Sequence, residues 1–254
     1  MSLPEMVIPC ARIVEQGDPD RFRTVMAAPV SARAVLFPLY ALNVEVSRAP
    51  WVTQEAMIAE MRLQWWRDAL EEIAEGRQVR KHEVTTPLAG VLTTDMARRL
   101  DESVAARRWD VYRDAFEDEA HFDSYIDQTA GHLMWTAAEC LGAPADQESS
   151  VRSVALAAGL VAFLRAVPKL EDAGRIPLLD GTQDGVAALA GRTRMRLTVP
   201  RLPTSARAAL WPAIGVRSVL DQIARDPAMV VEGRVPTVAP WRLSFSALTG
   251  RVML

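Results

Sequence analysis

Apolar residues recur every three or four positions along most of the chain, which is the spacing of one face of a helix. Two runs that follow this spacing, the second within one residue, are Val35, Leu39, Leu42, Val46 and Met57, Met61, Trp65, Leu70. Such spacing predicts amphipathic α-helices that turn one side to a core. No alternation of apolar and polar residues is long enough to predict a strand, so the predicted fold class is all-α.

Prolines divide this pattern at intervals that suit helix boundaries or first turns. The pattern predicts a bundle of roughly eight to ten helices. Its least regular connections are expected at 76–86 and 179–203. No internal repeat or change of composition divides the chain, so residues 1–254 are expected to form a single domain.

The longest apolar stretch, 154–167, is interrupted by Arg165 and followed by Pro168. Because about 20 apolar residues are needed to cross a bilayer, this stretch predicts a buried helix that ends at the proline. Half of the 254 residues are hydrophobic, which is enough for a sizeable core.

The net charge of -3 argues against a nucleic-acid partner, which would require a basic face. Two cysteines, Cys10 and Cys140, are too few for a disulfide framework or a cysteine-rich metal site. The first residues contain no apolar segment flanked by positive charge, so no targeting signal is expected and the expected location is cytoplasmic.

One stretch points to a family. Residues 38–49 read PLYALNVEVSRA and residues 61–70 read MRLQWWRDAL, and together they resemble the first substrate helix and the following helix of the squalene/phytoene synthases. In that family, aspartates after this run hold the magnesium ions that neutralise a prenyl diphosphate. The matching positions here are Ser47, Arg48 and Trp51, and none of these side chains is a ligand that magnesium prefers.

A second aspartate motif of the family is altered in the same way. Residues 162–178 read AFLRAVPKLEDAGRIPL and are similar to the family's Asn-Ile-Leu-Arg run with its Gly-Arg-x-Tyr-Leu-Pro end. The aspartate positions fall on Ala166 and Leu170. Glu171 and Asp172 are the nearby carboxylates, and they are either displaced ligands or solvated charges at a helix end.

Further segments resemble the same family and one of its branches. Tyr125 with the run TAGH at 129–132 resembles a packing motif beside the prenyl tail, and residues 62–69 and 206–251 resemble the divergent branch that includes the mitochondrial complex I assembly factor. The resemblance implies an isoprenoid-synthase-like helical bundle around a central apolar cavity. It also implies that Arg33, Tyr40 and Arg165 face the ligand.

Arginine can hold a diphosphate through charge-assisted hydrogen bonds where no metal bridges it. The candidates for contacts with the cavity or the headgroup are Arg33, Tyr40, Glu45, Arg48, Trp65, Tyr125, His132 and Arg165. His132 is either a core histidine or a residue of the cavity rim, and Asp123 with Asp127 is either a solvated helix face or a magnesium-binding pair. No catalytic residue, metal ligand or cofactor is expected.

Two functions remain open. The chain is either a catalytically degenerate family member that binds a prenyl or lipid ligand or assists a protein partner in assembling a respiratory membrane complex, or it is an active prenyl transferase. The second function would need magnesium on relocated ligands, of which the candidates are Glu45, Asp68, Glu171 and Asp172. A third, weaker hypothesis is association with the inner membrane surface through residues 241–248.

Overall fold

α-Helices make up the regular structure of the computed structural model, which describes residues 4–112, 114–237, 240–249 and 251–254. In chain order they are α1 (Ile8–Gly17), α2 (Pro19–Ala27), α3 (Val30–Arg48), α4 (Ala56–Ala74), α5 (Thr85–Ala89), α6 (Thr94–Ala106), α7 (Glu119–Ile126), α8 (His132–Cys140), α9 (Glu148–Asp172), α10 (Gln183–Arg196), α11 (Val216–Arg225), α12 (Ala228–Val231) and α13 (Pro240–Thr249). These residues contain no strand, which confirms the all-α prediction.

The described helices number thirteen, more than the eight to ten predicted, partly because α5 and α12 are single turns. The prediction that 179–203 is irregular was wrong, since α10 occupies most of it. The Thr182 hydroxyl caps this helix by accepting a hydrogen bond from the Gly185 backbone N–H at 3.1 Å, a contact that outweighs the low helix propensity of the glycines.

The long helix α9 is the centre of the bundle. One side packs on α8 and the other on α11, and its apolar residues are buried along its length. By length and composition alone, the helical span Ala145–Asp172 would also suffice to cross a membrane. The predicted end at Pro168 was wrong: the helix continues to Asp172 and ends before Gly174, whose φ of 75° suits a left-handed cap. Pro168 has no backbone N–H, so it cannot donate to the carbonyl of Leu164, and the helix continues for one more turn beyond it.

The core face of α4 differs from the predicted one. Its buried residues are Ala59, Leu63, Trp66, Ala69 and Leu70, whereas Met57 and Met61 are 75% and 66% exposed. The predicted spacing of α3 is correct, since Leu39, Leu42 and Val46 are buried. The apolar run on α4 was misleading because Met57 and Met61 lie on the face of the helix opposite Ala59 and Leu63, which are buried in the same turns.

A π-helical turn at Asp127–Gly131 joins α7 to α8 and packs against α9. Gly159 of α9 lies where this packing is closest. A methyl group at Gly159 would lie 2.6 Å from the Cβ of Ala130 and 2.9 Å from the Cγ2 of Ile126. Since neither neighbour is the end of a flexible side chain, the contact between α9 and the π turn depends on glycine.

We expect Gly159→Ala to lower the free energy of unfolding by about 1–3 kcal/mol through overpacking. The matched control is Gly191→Ala in α10, where a methyl group meets nothing within 4 Å and where leaving glycine out of a helix interior should stabilise by roughly 0.5–1 kcal/mol. Urea unfolding followed by circular dichroism measures both. Equal effects of the two substitutions would contradict the described packing.

Candidate functional site

A cavity of about 390 Å³ lies between α2, α3, the α7–α8 region and α9. Apolar side chains of α8 and α9, among them Leu133, Met134, Ala155 and Phe163, line much of it, together with the charged Arg165 of α9. Polar side chains gather on the α2 and α3 side. The structure therefore contains the predicted apolar cavity, with a polar wall that can meet the headgroup of an amphiphile.

Four of the five positions that match family aspartates line this cavity. Ser47 and Trp51 reach it from the end of α3 and the turn that follows, and Ala166 and Leu170 reach it from the facing end of α9. Arg48 does not line it; its exposed guanidinium lies 3.4 Å from the carboxylate of Glu45. Two helix ends thus face each other across the cavity as in a metal site, but with no carboxylate at these positions.

Cations and tryptophans occupy the space near these helix ends. The guanidinium of Arg175 lies 4.9 Å from the ring centre of Trp51 and 5.6 Å from that of Trp109, so it is held between two aromatic rings. It also donates hydrogen bonds to the backbone carbonyls of Trp109, Asp110 and Tyr112. A divalent cation here would meet a fixed positive charge rather than an anionic ligand.

A buried polar network forms one wall of the cavity. The Tyr125 hydroxyl lies 3.0 Å from a carboxylate oxygen of Asp110, and Arg107 donates to both the other Asp110 oxygen at 3.2 Å and the Tyr125 hydroxyl at 3.0 Å. Burial and then the charge of Asp110 raise the pKa of Tyr125 well above its ordinary value, so its phenol stays protonated and donates to the carboxylate. Tyr125 lines the cavity as predicted, but its hydroxyl is already engaged.

Tyr40 offers a different surface. Asp18 caps α2 and also binds Arg21 at 2.8 Å, which holds the Arg21 guanidinium 4.9 Å from the ring centre of Tyr40. Burial raises the pKa of Tyr40 to about 12, so the phenol is a neutral donor. Within the part of the chain that the structure describes, its hydroxyl has no hydrogen-bond partner, and Asn43 beside it on the cavity wall has a free side-chain amide.

Arg165 lies in the cavity wall and forms no ion pair with the carboxylates that the structure describes. Its Nε donates to the backbone carbonyl of Pro236 at 3.1 Å, and a second guanidinium nitrogen donates to the same oxygen. None of the described carboxylates forms an ion pair with it. Burial lowers the pKa of Arg165, yet an arginine remains charged at any physiological pH. Arg165 is half-buried, and the charges of Asp20 and Asp18 on the same cavity wall favour its charged form without forming an ion pair. A partly desolvated cation of this kind favours an anion in the cavity.

Each carboxylate on the cavity wall is already paired. Asp18 binds Arg21, Asp20 binds Arg23 and Asp110 binds Arg107. The candidate relocated ligands lie elsewhere: Glu45 pairs with Arg48, Asp68 accepts from Gln64 at 2.7 Å, and Glu171 and Asp172 are exposed at the end of α9. The relocated carboxylates therefore do not gather at the cavity.

Asp123 and Asp127, the alternative magnesium-binding pair, each form an ion pair with an arginine. Asp123 binds Arg196 at 2.8 Å and Asp127 binds Arg152 at 2.9 Å. Each carboxylate turns to its own arginine, so the two do not converge on a common point. Within the described residues, no cluster of three or more carboxylate, histidine or cysteine side chains has the arrangement of a metal site.

Three predicted candidates besides Glu45 and Arg48 lie away from the cavity. Arg33 donates to the carbonyls of Ala28 and Met26 at 2.9 and 2.7 Å, so it stabilises the end of α2 instead of facing a ligand. The Nδ1 of His132 lies 3.0 Å from the carbonyl of Arg99, and burial lowers its pKa, which agrees with a core histidine.

Trp65 is the third. It packs its ring edge-on against Trp66 and lies under the guanidinium of Arg80, whereas Trp66 is in the core. Neither tryptophan lines the cavity. Of the eight candidates, the structure brings Tyr40, Tyr125 and Arg165 to the cavity wall.

Other polar residues of the wall were not predicted. Arg21 and Asp18 could have been found, because an aspartate before a proline that starts a helix indicates an N-cap whose side chain binds nearby groups. Arg107 and Asp110 carry no such signal, since they lie on a short 3₁₀ turn after α6. Their meeting with Tyr125 is a tertiary contact.

The family model described as squalene/phytoene synthase matches residues 14–179. A relative from Drosophila melanogaster, the NADH dehydrogenase (ubiquinone) complex I, assembly factor 6 homolog, is 25% identical over 95% of this chain and 83% of its own. The Homo sapiens assembly factor 6 is 23% identical over 63% of this chain and 48% of its own. The chain thus aligns with about half the length of the human relative.

Two solved structures are similar in fold. A dehydrosqualene synthase in complex with ligand superposes with a TM-score of 0.76, covering 97% of this chain and 95% of that one at 16% identity. The squalene synthase HpnC from Alicyclobacillus acidocaldarius superposes with a TM-score of 0.59, covering 98% and 95% at 15% identity. These superpositions confirm the predicted isoprenoid-synthase-like bundle.

Proposed function

This chain belongs to the squalene/phytoene synthase family, and we propose that it holds an anionic prenyl or lipid molecule without magnesium and without condensing it. The complex I assembly factors among its relatives confirm the predicted branch. In this function the cavity is a binding site that has kept its shape and lost the ligands of its catalytic metal ions.

The observation that carries the proposal is Arg165, a charged side chain in the cavity wall that forms no ion pair with a described carboxylate. A prenyl phosphate or an acidic lipid matches both features, since its chain suits the apolar wall and its headgroup supplies the missing negative charge. The free hydroxyl of Tyr40 and the amide of Asn43 lie on the same wall and would donate to the headgroup.

Loss of catalysis follows from charge at the reacting bond. Ionisation of an allylic diphosphate needs strong stabilisation of the departing diphosphate, which magnesium ions supply in active enzymes. Here Ser47, Trp51, Ala166 and Leu170 face the cavity where the ligands of those ions would be. Arginine alone retains affinity for an anion, but it does not replace several divalent charges.

An assembly role in a respiratory membrane complex is supported by the relatives, which are named as complex I assembly factors. We propose the same class of role for this chain, at the inner face of the membrane and with a protein partner of that complex. Ligand binding would then signal that the lipid is available, or it would stabilise the conformation that the partner protein binds.

Calorimetric titration with a non-hydrolysable farnesyl diphosphate analogue tests the binding site. We expect similar affinity in magnesium and in chelator, because arginine and not metal supplies the positive charge. We expect Arg165→Gln to weaken binding at least about tenfold, the loss of one charge-assisted hydrogen bond.

The matched control is Arg62→Gln, which removes an exposed arginine of α4 that does not line the cavity. Circular dichroism of both variants checks their folding. A strict need for magnesium, or equal losses in the two variants, would contradict the proposal.

A turnover assay tests the alternative, an active prenyl transferase. We expect no pyrophosphate release from farnesyl or geranylgeranyl diphosphate above background, because removal of one electrostatic contact of this kind costs on the order of 3 kcal/mol of barrier and several are absent. Squalene or phytoene formation at ordinary enzyme rates would overturn this. Substitution of Glu45, Glu171 and Asp172 by their amides would then identify the carboxylates responsible.

A further inference from the structure

The last helix, α13, exposes three large apolar side chains on one side. Trp241, Phe245 and Leu248 are 62%, 43% and 88% exposed, and their spacing of four and three residues puts them on a common face. The opposite face holds the helix to the bundle through buried Ser246 and through Leu243, which packs on the core. We call the three exposed side chains the α13 stripe.

Charge distinguishes this part of the chain. Residues 235–254 contain two arginines, Arg242 and Arg251, and no aspartate or glutamate, whereas the whole chain has a net charge of -3. Neither arginine forms an ion pair with a carboxylate of the described residues. The Arg242 guanidinium lies 5.4 Å from the ring centre of Trp241. An apolar face beside unpaired arginines matches the interface of an anionic bilayer.

The helix also borders a second cavity. About 190 Å³ in volume, it lies between α9, α11 and the start of α13, and Trp241 and Arg242 are among its lining residues. Arg165 and Pro212 line both this cavity and the central one. The guanidinium of Arg165 therefore lies between the central cavity and the surface that α13 borders.

We propose that the α13 stripe docks the protein on an anionic lipid bilayer, with the second cavity next to the lipid. Trp241, Phe245 and Leu248 enter the interface, while Arg242 and Arg251 meet the lipid phosphates. An acidic amphiphile then reaches Arg165 from the bilayer through the second cavity. This last step rests on the proposed function, whereas docking depends on α13 alone.

Co-sedimentation of the full chain with vesicles tests the docking. We expect binding to phosphatidylcholine vesicles that contain phosphatidylglycerol and much weaker binding to vesicles of phosphatidylcholine alone. Substitution of Trp241, Phe245 and Leu248 by serine should reduce binding at least roughly tenfold, since the three apolar side chains that would enter the bilayer interface are lost. Arg242→Gln with Arg251→Gln should remove the preference for the anionic vesicles.

The matched control is serine at three other exposed apolar residues, Met57, Met61 and Met195, which should leave vesicle binding unchanged. Equal losses in the control, or no sedimentation of the wild-type chain, would overturn the proposal. A dimer in solution that the α13 serine variant abolishes would overturn it in favour of a second copy of the chain.

Calorimetry of the α13 serine variant with the soluble farnesyl diphosphate analogue separates this proposal from the function. Docking through α13 predicts normal affinity for the soluble analogue together with lost vesicle binding. Vesicle binding by a chain that does not bind the analogue would contradict the proposed function and leave the docking intact.

Discussion

The structure depends on a positive charge that the bundle keeps in the wall of an apolar cavity. Arg165 is half-buried there, donates to a backbone carbonyl and forms no ion pair with a described carboxylate, and partial removal of a charge from water is costly. An anion bound in the cavity would stabilise the charge of this side chain. The same charge opposes a divalent cation, so binding of an anion and binding of magnesium are in conflict at this wall.

The changes around the two helix ends agree with this conflict. Ser47, Trp51, Ala166 and Leu170 line the cavity with no carboxylate among them. The Arg175 guanidinium, after the end of α9, lies near the rings of Trp51 and Trp109. Carboxylates that remain on the wall are satisfied by neighbouring arginines. In the function we propose, the cavity has an arginine and no carboxylate at the matched positions, so loss of catalysis and retention of anion binding would have one electrostatic cause.

The sequence predicted the features that depend on local spacing or on family motifs. The all-α class follows from the helical periodicity of the apolar residues. The positions that face the cavity on α3 and α9 follow from the resemblance to the two family motifs. Arg33 was misplaced because its partners, the backbone carbonyls at the end of α2, are known only from the fold. The choice between core and rim for His132 depends in the same way on the carbonyl of Arg99. The pairing of Asp110 with Arg107 and Tyr125 was missed because it too is a tertiary contact. Met57 and Met61 were assigned to the core because their spacing is helical, whereas the structure buries the opposite face of α4.

Mass spectrometry of the molecule that accompanies the purified protein tests the central claim most directly. Native spectra recorded after extensive treatment with chelator, followed by extraction and identification of the released compound, show whether the cavity holds an anion independently of metal. The account predicts an acidic prenyl or lipid species that survives chelation in the wild-type chain and is depleted in Arg165→Gln. A neutral ligand, or an acidic one that leaves when divalent cations are removed, would contradict it.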